Sequence, residues 1–431
     1  MITLAVSFAA PYIFNLAILL LICAHWITEF WLSRLNRRHV LANAREIPPA
    51  FRGIIDESTY KRSVAYTLAK GKFAEMEDGY NVAVLIIFLF SGVLPWAFHW
   101  FSDELGPSAW AMAAFLFATG FAMSLTGLPF DWHAQFRLEQ KFGFNTTTPK
   151  IWWMDRLKGW LLAIILGYPL LVLILKIVQW TGAWWWLWAW AALLAFQFLM
   201  LVLAPVLIMP LFNKFTPLPE GRLRERLLAL AGRTRFRARS IQLMDGSKRS
   251  RHSNAFFTGF GRFRKIVLFD TLVQQLTEPE LEAVLAHEIG HYKKKHIPKL
   301  LAFSAVSSLA GFYFISVLAQ QAWFYRAFGF QPSALSLQPS AIAPALLLFG
   351  LLAGTVTFWF SPLIHWWSRR YEYQADAFAA QVMSEAQSLI GALRKLNEKN
   401  LSNLTPHPFY SGFYYSHPTL LEREQALIAK T

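Results

Sequence analysis

Seven long apolar stretches constrain this chain more than anything else in it. They lie near residues 5–25, 82–101, 107–127, 158–180, 184–209, 300–324 and 341–365. Each has about the ~20 residues that a helix needs to cross ~30 Å of hydrocarbon. Lipid offers no partner to a backbone N–H or C=O, so segments of this length and composition must satisfy their own polar groups as helices. Composition agrees: 55% of the residues are hydrophobic and only 16% are charged. Aromatic pairs and triplets (Trp96 and Trp100, Trp152 and Trp153, Trp184 to Trp186, Trp366 and Trp367) stand at stretch ends, where an indole is best placed between oil and water. The chain reads as an all-α polytopic membrane protein.

Charge gives the orientation. With the N-terminus outside, the cytoplasmic segments are 26–81, 128–158, 210–299 and 366–431, and they hold 39 of the 41 Lys and Arg. Only Lys176, within a stretch, and Arg326, in an outer loop, fall elsewhere. This bias follows the positive-inside rule and calls for an odd number of spans. It also explains the net charge of +15 through the lipid bilayer, so no nucleic acid is expected as a partner. The first stretch has no basic residue before it and no small-residue cleavage site after it, and Arg34, Arg37 and Arg38 follow. It is expected to remain as an anchor. Cys23 is the only cysteine, which excludes an intrachain disulfide and a Cys-based metal site. Two domains are expected: 1–209, with five spans, and 210–431, with a cytoplasmic segment, two spans and a cytoplasmic tail.

The second domain carries His287-Glu288-Ile289-Gly290-His291. Two imidazoles four residues apart stand one turn apart on one helix face, close enough to grip one ion. The Glu between them suits a base for a water that the metal activates. Chance would produce such a motif in about 1% of chains of this composition. The local sequence also predicts a helix. Thr277 to Glu280 reads as a capping box with Pro279 in the first turn. Leu281, Val284, Leu285 and Ile289 form an apolar stripe, and Lys293 to Lys295 suit the C-terminal end.

A catalytic zinc needs a third protein ligand and an open position. Glu372 and Asp376 are four apart and share a helix face. Glu372 is the candidate ligand, so that one Zn2+ per chain would sit on His287, His291 and Glu372. Asp376 would hold a ligand imidazole by its second nitrogen, with Arg369 beside the acidic pair. His417, just before Pro418, is the candidate donor to an oxyanion. Strand-like runs at 239–244, 252–260 and 264–269, the last two joined by Gly261 to Phe263, predict a small β-hairpin or three-stranded sheet beside the motif helix. Asn254, with Ala255 and Phe256, is placed there to hold substrate backbone.

These motifs resemble those of the Ste24-type integral-membrane zinc proteases, the type I CAAX prenyl proteases of the M48 family. Ser368 to Asp376, Lys248 to Phe256 and Ser416 to Arg423 resemble further family segments, as do Glu139 to Pro149 and Ala204 to Pro217. The resemblance implies seven helices closed into a barrel-like chamber around the zinc site. It implies a peptide or membrane-protein substrate, with or without a lipid, cut at the cytoplasmic side. No long insertion separates spans six and seven, and no ER-retention signal is evident. The expectation is therefore a bacterial member in the inner membrane, with the endoplasmic reticulum as the eukaryotic alternative. A transporter or channel with a non-catalytic metal site is the competing reading. It is disfavoured by the scarcity of ionisable groups within the spans. A site-2-type protease would carry its motif within a hydrophobic span, which Lys293 to Lys295 preclude.

Overall fold

The structure, a computed structural model, describes residues 2–236, 240–258, 265–331 and 337–429, with side chains from residue 10 onward. Five helical runs among these residues are long and apolar enough to cross a membrane: Ala10–Ala42, Ala109–Phe142, Pro149–Phe212, His296–Leu318 and Pro339–Met383. A sixth forms when Glu57–Phe90 and Val93–Leu105 are taken together, bent by 53°. The bend lies at Gly92, whose φ of +82° costs glycine nothing and most residues a good deal. The apolar stretch expected near 82–101 therefore runs through a break at Gly92.

The 64-residue run Pro149–Phe212 contains both the fourth and the fifth apolar stretches. Gly182, at φ +54°, opens a short turn between Tyr168–Thr181 and Trp185–Leu203, and these two helices pack along each other. The run therefore folds back on itself. Three π-helical segments, Ala134–Glu139, Ala163–Gly167 and Ala204–Ile208, widen the helices locally, a feature that gathers at functional sites.

Buried side chains form two large groups. One, including Ile22, Met112, Phe115, Leu175, Trp185 and Phe324, ties the membrane helices together. The other surrounds the motif helix, Glu278–Lys293. There Leu281, Leu285 and Ile289 pack with Leu227 and Leu230 of Arg222–Arg233 and with Leu389 and Leu393 of Gln387–Lys399.

The sheet is larger than expected. It has four strands, β1 (Phe215–Pro217), β2 (Ser240–Met244), β3 (Ala255–Thr258) and β4 (Lys265–Phe269), in the order β1-β2-β4-β3. β3 and β4 are antiparallel, as a hairpin requires, with Ala255 opposite Leu268. β2 runs parallel to β4. β1, which no run of apolar residues announces, pairs antiparallel with β2. Its Pro217 suits the edge, since proline has no N–H to give to a ladder. The Gly261 to Phe263 connection lies outside the described residues, as does Arg239. Ile241, Ile266 and Leu268 join the core around the motif helix.

The segment 139–155 docks onto the loop before β3. Arg251 N donates to Phe144 O at 3.0 Å and Thr146 Oγ1 to Ser247 O at 2.7 Å. Arg249 grips both oxygens of Asp155 at 2.7 and 3.0 Å.

Candidate metal centre

The motif helix begins as its sequence predicts. The Glu280 carboxylate accepts from Thr277 N at 2.7 Å and Oγ1 at 2.8 Å, and Lys395 donates to the same oxygen at 2.8 Å. The helix ends at Lys293, and Lys295 takes a left-handed turn, φ +57°, into His296–Leu318. The acidic pair lies on Ser361–Met383, which continues Pro339–Thr357 after one 3₁₀ turn. Both halves of the centre are therefore extensions of spans.

These two helices touch at Gly290. A β-carbon there would stand 3.0 Å from Ala375 Cα and 3.1 Å from Ala375 O. Glycine in the fourth place of the motif lets the helix backbones meet, and the ligands gather on either side of that contact.

His287, His291 and Glu372 each offer one atom within 4.8 Å of the others. The closest approaches are 3.1 Å between the two Nε2 atoms, 3.5 Å from His287 Nε2 to Glu372 Oε2, and 3.3 Å from His291 Nε2 to Glu372 Oε1. Zinc bonds of about 2.0–2.1 Å in a tetrahedron place ligand atoms about 3.3 Å apart. Glu372 is buried, and its Oε2 has His417 Nδ1 at 2.8 Å and His287 Nε2 at 3.5 Å. The residues thus fit a tetrahedral zinc in spacing and donor chemistry.

Hydrogen bonds behind the rings select the tautomers. His287 Nδ1 lies 2.8 Å from Asp376 Oδ1; a carboxylate only accepts, so Nδ1 carries the proton and Nε2 keeps its lone pair. Arg423 donates to both oxygens of Asp376, at 2.6 and 2.8 Å, and fixes that carboxylate in turn. On the other ligand, His291 Nδ1 is 3.0 Å from His296 Nδ1, and His296 Nε2 is 3.0 Å from Gln374 Oε1. With the Gln374 oxygen accepting from Nε2, His296 Nδ1 is an acceptor and His291 Nδ1 its donor. His291 Nε2 is then free for an ion. His296 is 1% exposed and stacks on Tyr371 with ring centroids 3.9 Å apart.

Burial works against a charged His287, but the carboxylates of Asp376 and Glu372 outweigh it and carry the metal-free ring up to about 9, so an ion bound at Nε2 would displace a proton from that nitrogen. Burial also pushes the Glu288 carboxyl above its usual range, against the pull of His287 and His291. A raised carboxyl is a stronger proton acceptor, which suits a general base.

The remaining expectations divide. His417 is brought to the centre: its Nδ1 is 2.8 Å from Glu372 Oε2, while most of its side chain is exposed. It borders a cavity of about 610 Å³ whose lining includes Arg37, Tyr66, Lys70, Asn400, Tyr415 and Arg423. Asn254 does not lie within a strand; its Oδ1 caps the start of β3 by accepting from Ala255 N at 2.8 Å, and its carbonyl accepts from Phe269 N at 3.1 Å. Ala255 and Phe256 follow on β3, which is an edge strand packed against the motif helix.

Arg369 requires a correction. It does not stand behind the acidic pair. Its Nη1 donates to Tyr415 O at 2.7 Å and Gly412 O at 3.2 Å, holding the loop that leads to His417. The place beside Asp376 is taken by Arg423. Arg423 and His296 are the partners of the candidate site that sequence reasoning missed. The first lies in the quoted Ser416 to Arg423 segment, whereas the second carries no spacing signal.

Known proteins match this chain along most of its length. Residues 36–214 match the family described as CAAX prenyl protease N-terminal, five membrane helices, and residues 217–431 match Peptidase family M48. CAAX prenyl protease 1 of Saccharomyces cerevisiae is 37% identical over 419 residues, spanning 91% of this chain and 90% of its own length. A CAAX prenyl protease 1 homolog of Homo sapiens is 31% identical, over 95% of this chain and 94% of that protein. The crystal structure of S. mikatae Ste24p matches with a TM-score of 0.85 at 36% identity, over 95% of this chain and 98% of that one.

Proposed function

Because the chain belongs to peptidase family M48, as a membrane metalloendopeptidase of the CAAX prenyl protease type, we propose that it hydrolyses peptide bonds with one zinc per chain, held by His287, His291 and Glu372. The observation that carries this reading is the convergence of His287 Nε2, His291 Nε2 and the Glu372 carboxylate, one atom from each lying within 4.8 Å of the others.

When bound, zinc supplies Lewis acidity, polarising the scissile carbonyl and making water acidic. Glu288 takes the proton of the attacking water and delivers it to the leaving amine nitrogen. Asp376 and Arg423 hold the His287 ring, and His296 with Gln374 holds the His291 ring. His417 donates to the oxyanion that develops on the carbonyl. An extended peptide adds along β3, where main-chain hydrogen bonds give affinity with little sequence preference. Asn254, whose Oδ1 is engaged at the strand start, presents its amide nitrogen to the peptide backbone.

The substrate is a peptide or membrane protein, such as the prenylated C-termini that the relatives' names describe, entering by the cavity beside His417. Seven spans, with the fold-back at Gly182 counted as two, and an active site facing the cytoplasm follow from the bias of basic residues. The cavity of about 610 Å³ that His417 borders supports a chamber at the centre.

The test is Glu288→Gln beside Glu372→Ala in the purified full chain. Glu288→Gln is expected to retain one zinc and lose cleavage of a CAAX-type peptide; Glu372→Ala is expected to lose both. A zinc-free Glu288→Gln or a fully zinc-loaded Glu372→Ala would overturn the assignment.

A further inference from the structure

A second cavity, of about 540 Å³, lies away from the metal centre between the helix Glu57–Phe90 and the π-helical continuation of Ala109–His133. Its floor is Phe73, Met76, Pro129 and Phe130. Its rim carries Lys72, Arg137 and Lys141, all exposed, with no Asp or Glu in the lining. That volume falls within the ~300–1,000 Å³ of small-ligand pockets.

The two walls run in opposite directions but grade the same way. Glu57–Phe90 enters the apolar layer as numbers rise, since its last nine residues, Val82 to Phe90, are apolar. Lys72 is therefore on the water side of Met76. Ala109–His133 leaves that layer as numbers rise, and Arg137 and Lys141 lie beyond Pro129 and Phe130. Apolar residues on both walls face the membrane and cations on both face water. Phe73 stacks on His133 with ring centroids 5.3 Å apart, closing the apolar part into one surface.

Glu77 and Asp78, which follow Met76, are not among the lining residues, and three other neighbouring carboxylates are engaged elsewhere. Glu75 accepts from Ser33 at 2.9 Å and faces Arg34 at 3.5 Å; Glu139 accepts from Tyr66 at 2.6 Å; Asp131 pairs with Arg156 at 2.7 Å. Among the described residues no ion pair within 4.0 Å joins a carboxylate to Lys72, Arg137 or Lys141. Three uncompensated cations over an apolar floor at the membrane boundary match an anionic headgroup with an acyl chain beneath it. A free anion would leave the floor unused, and a neutral lipid would leave the cations uncompensated.

We propose that this cavity binds an anionic phospholipid of the surrounding leaflet. Basic pockets between spans at the cytoplasmic side recognise such headgroups, each Lys or Arg contributing about fivefold in affinity.

The experiment is native mass spectrometry of the full chain in detergent micelles, titrated with dioleoylphosphatidylserine or dioleoylphosphatidylcholine. The parent is expected to bind the serine lipid at least tenfold more tightly. Lys72→Ala, Arg137→Ala and Lys141→Ala together are expected to abolish that preference, with a loss of about a hundredfold in serine-lipid affinity. A control with the same net charge, Arg38→Ala, Lys150→Ala and Lys214→Ala, is expected to keep the preference, and Met76→Glu is expected to weaken it. Glycerophosphoserine, the headgroup without chains, is expected not to compete. Equal binding of the two lipids by the parent, an equal loss in the control, or effective competition by glycerophosphoserine would each overturn the proposal.

Discussion

His296 tests the account of the metal centre most directly, because nothing but the hydrogen-bond chain gives it a role. Its Nδ1 accepts from His291 Nδ1 at 3.0 Å in a position that is 1% exposed. His296→Leu fills the space with apolar atoms and leaves the N–H of the half-buried His291 facing them unpaired. An unsatisfied buried donor costs about 1–3 kcal/mol. Partners that orient a ligand histidine are worth about 10–100-fold in metal affinity, which is about 1.4–2.7 kcal/mol on the same scale. The two figures agree, so zinc affinity is expected to fall by about 10–100-fold. His296→Asn is the control, since its Oδ1 can stand where the ring Nδ1 stood and accept the same proton. It is expected to stay within about fivefold of the parent, although it too loses the stack on Tyr371. The assay is competition for zinc between the full chain and a chromogenic chelator. Parent-like affinity in the Leu variant, or equal losses in the Leu and Asn variants, would refute the relay and leave only a packing role.

Four further outcomes are expected. Glu288→Gln should keep zinc while Glu372→Ala loses it, read by elemental analysis as above. Gly290→Ala should lower the melting temperature: the new methyl meets the Ala375 backbone at 3.0 Å, and overpacking costs about 1–3 kcal/mol, more than the gain in helix propensity of about 1 kcal/mol; a rise would show that the helices part freely. His417→Ala should lower kcat by about 10²–10³ with zinc content unchanged, and Asn254→Ala should also raise KM; near-normal kcat in the His417 variant would remove its oxyanion role. Reporter fusions after residues 60, 145 and 245 should report cytoplasm and those after 104 and 182 the outside, and an external signal at 245 would invert the topology.

The parts legible in the sequence are those in which one regular period carries the information. Helical spacing puts His287 and His291 on one face, and Glu372 and Asp376 on another, so the donor set can be assembled from two four-residue intervals. The capping box at Thr277 is local too, and is observed. What escaped depends on geometry between segments. His296 is five residues from His291, and only the left-handed turn at Lys295 carries its ring back to its neighbour; no periodicity marks such a turn, since lysine rarely adopts it. Arg423 reaches Asp376 from 47 positions away, and Arg369 is an equally plausible partner until the loop carbonyls at 412 and 415 are seen to claim it. β1 is three residues long and includes a proline, so only its pairing with β2 reveals it as a strand.

The placement of the centre has a mechanical consequence. One ligand helix is joined to His296–Leu318 by a single turn, and the other continues from Pro339–Thr357 through one 3₁₀ turn. The ligand spacing is therefore set by how two spans pack, with Gly290 against Ala375 as the point of closest approach. Such an attachment lets a membrane barrier and a hydrolytic site share one frame: the spans exclude lipid from the centre, and the soluble core of Leu227, Leu281, Ile289 and Leu393 anchors the same helix from the aqueous side. Each side alone would leave the motif helix half-packed, with one face of its buried residues uncovered. The edge strand β3 lies against the same helix, whose position is thus held from both directions; on the proposed binding mode this would keep a peptide on that strand in a constant register to Glu288 and the ligands.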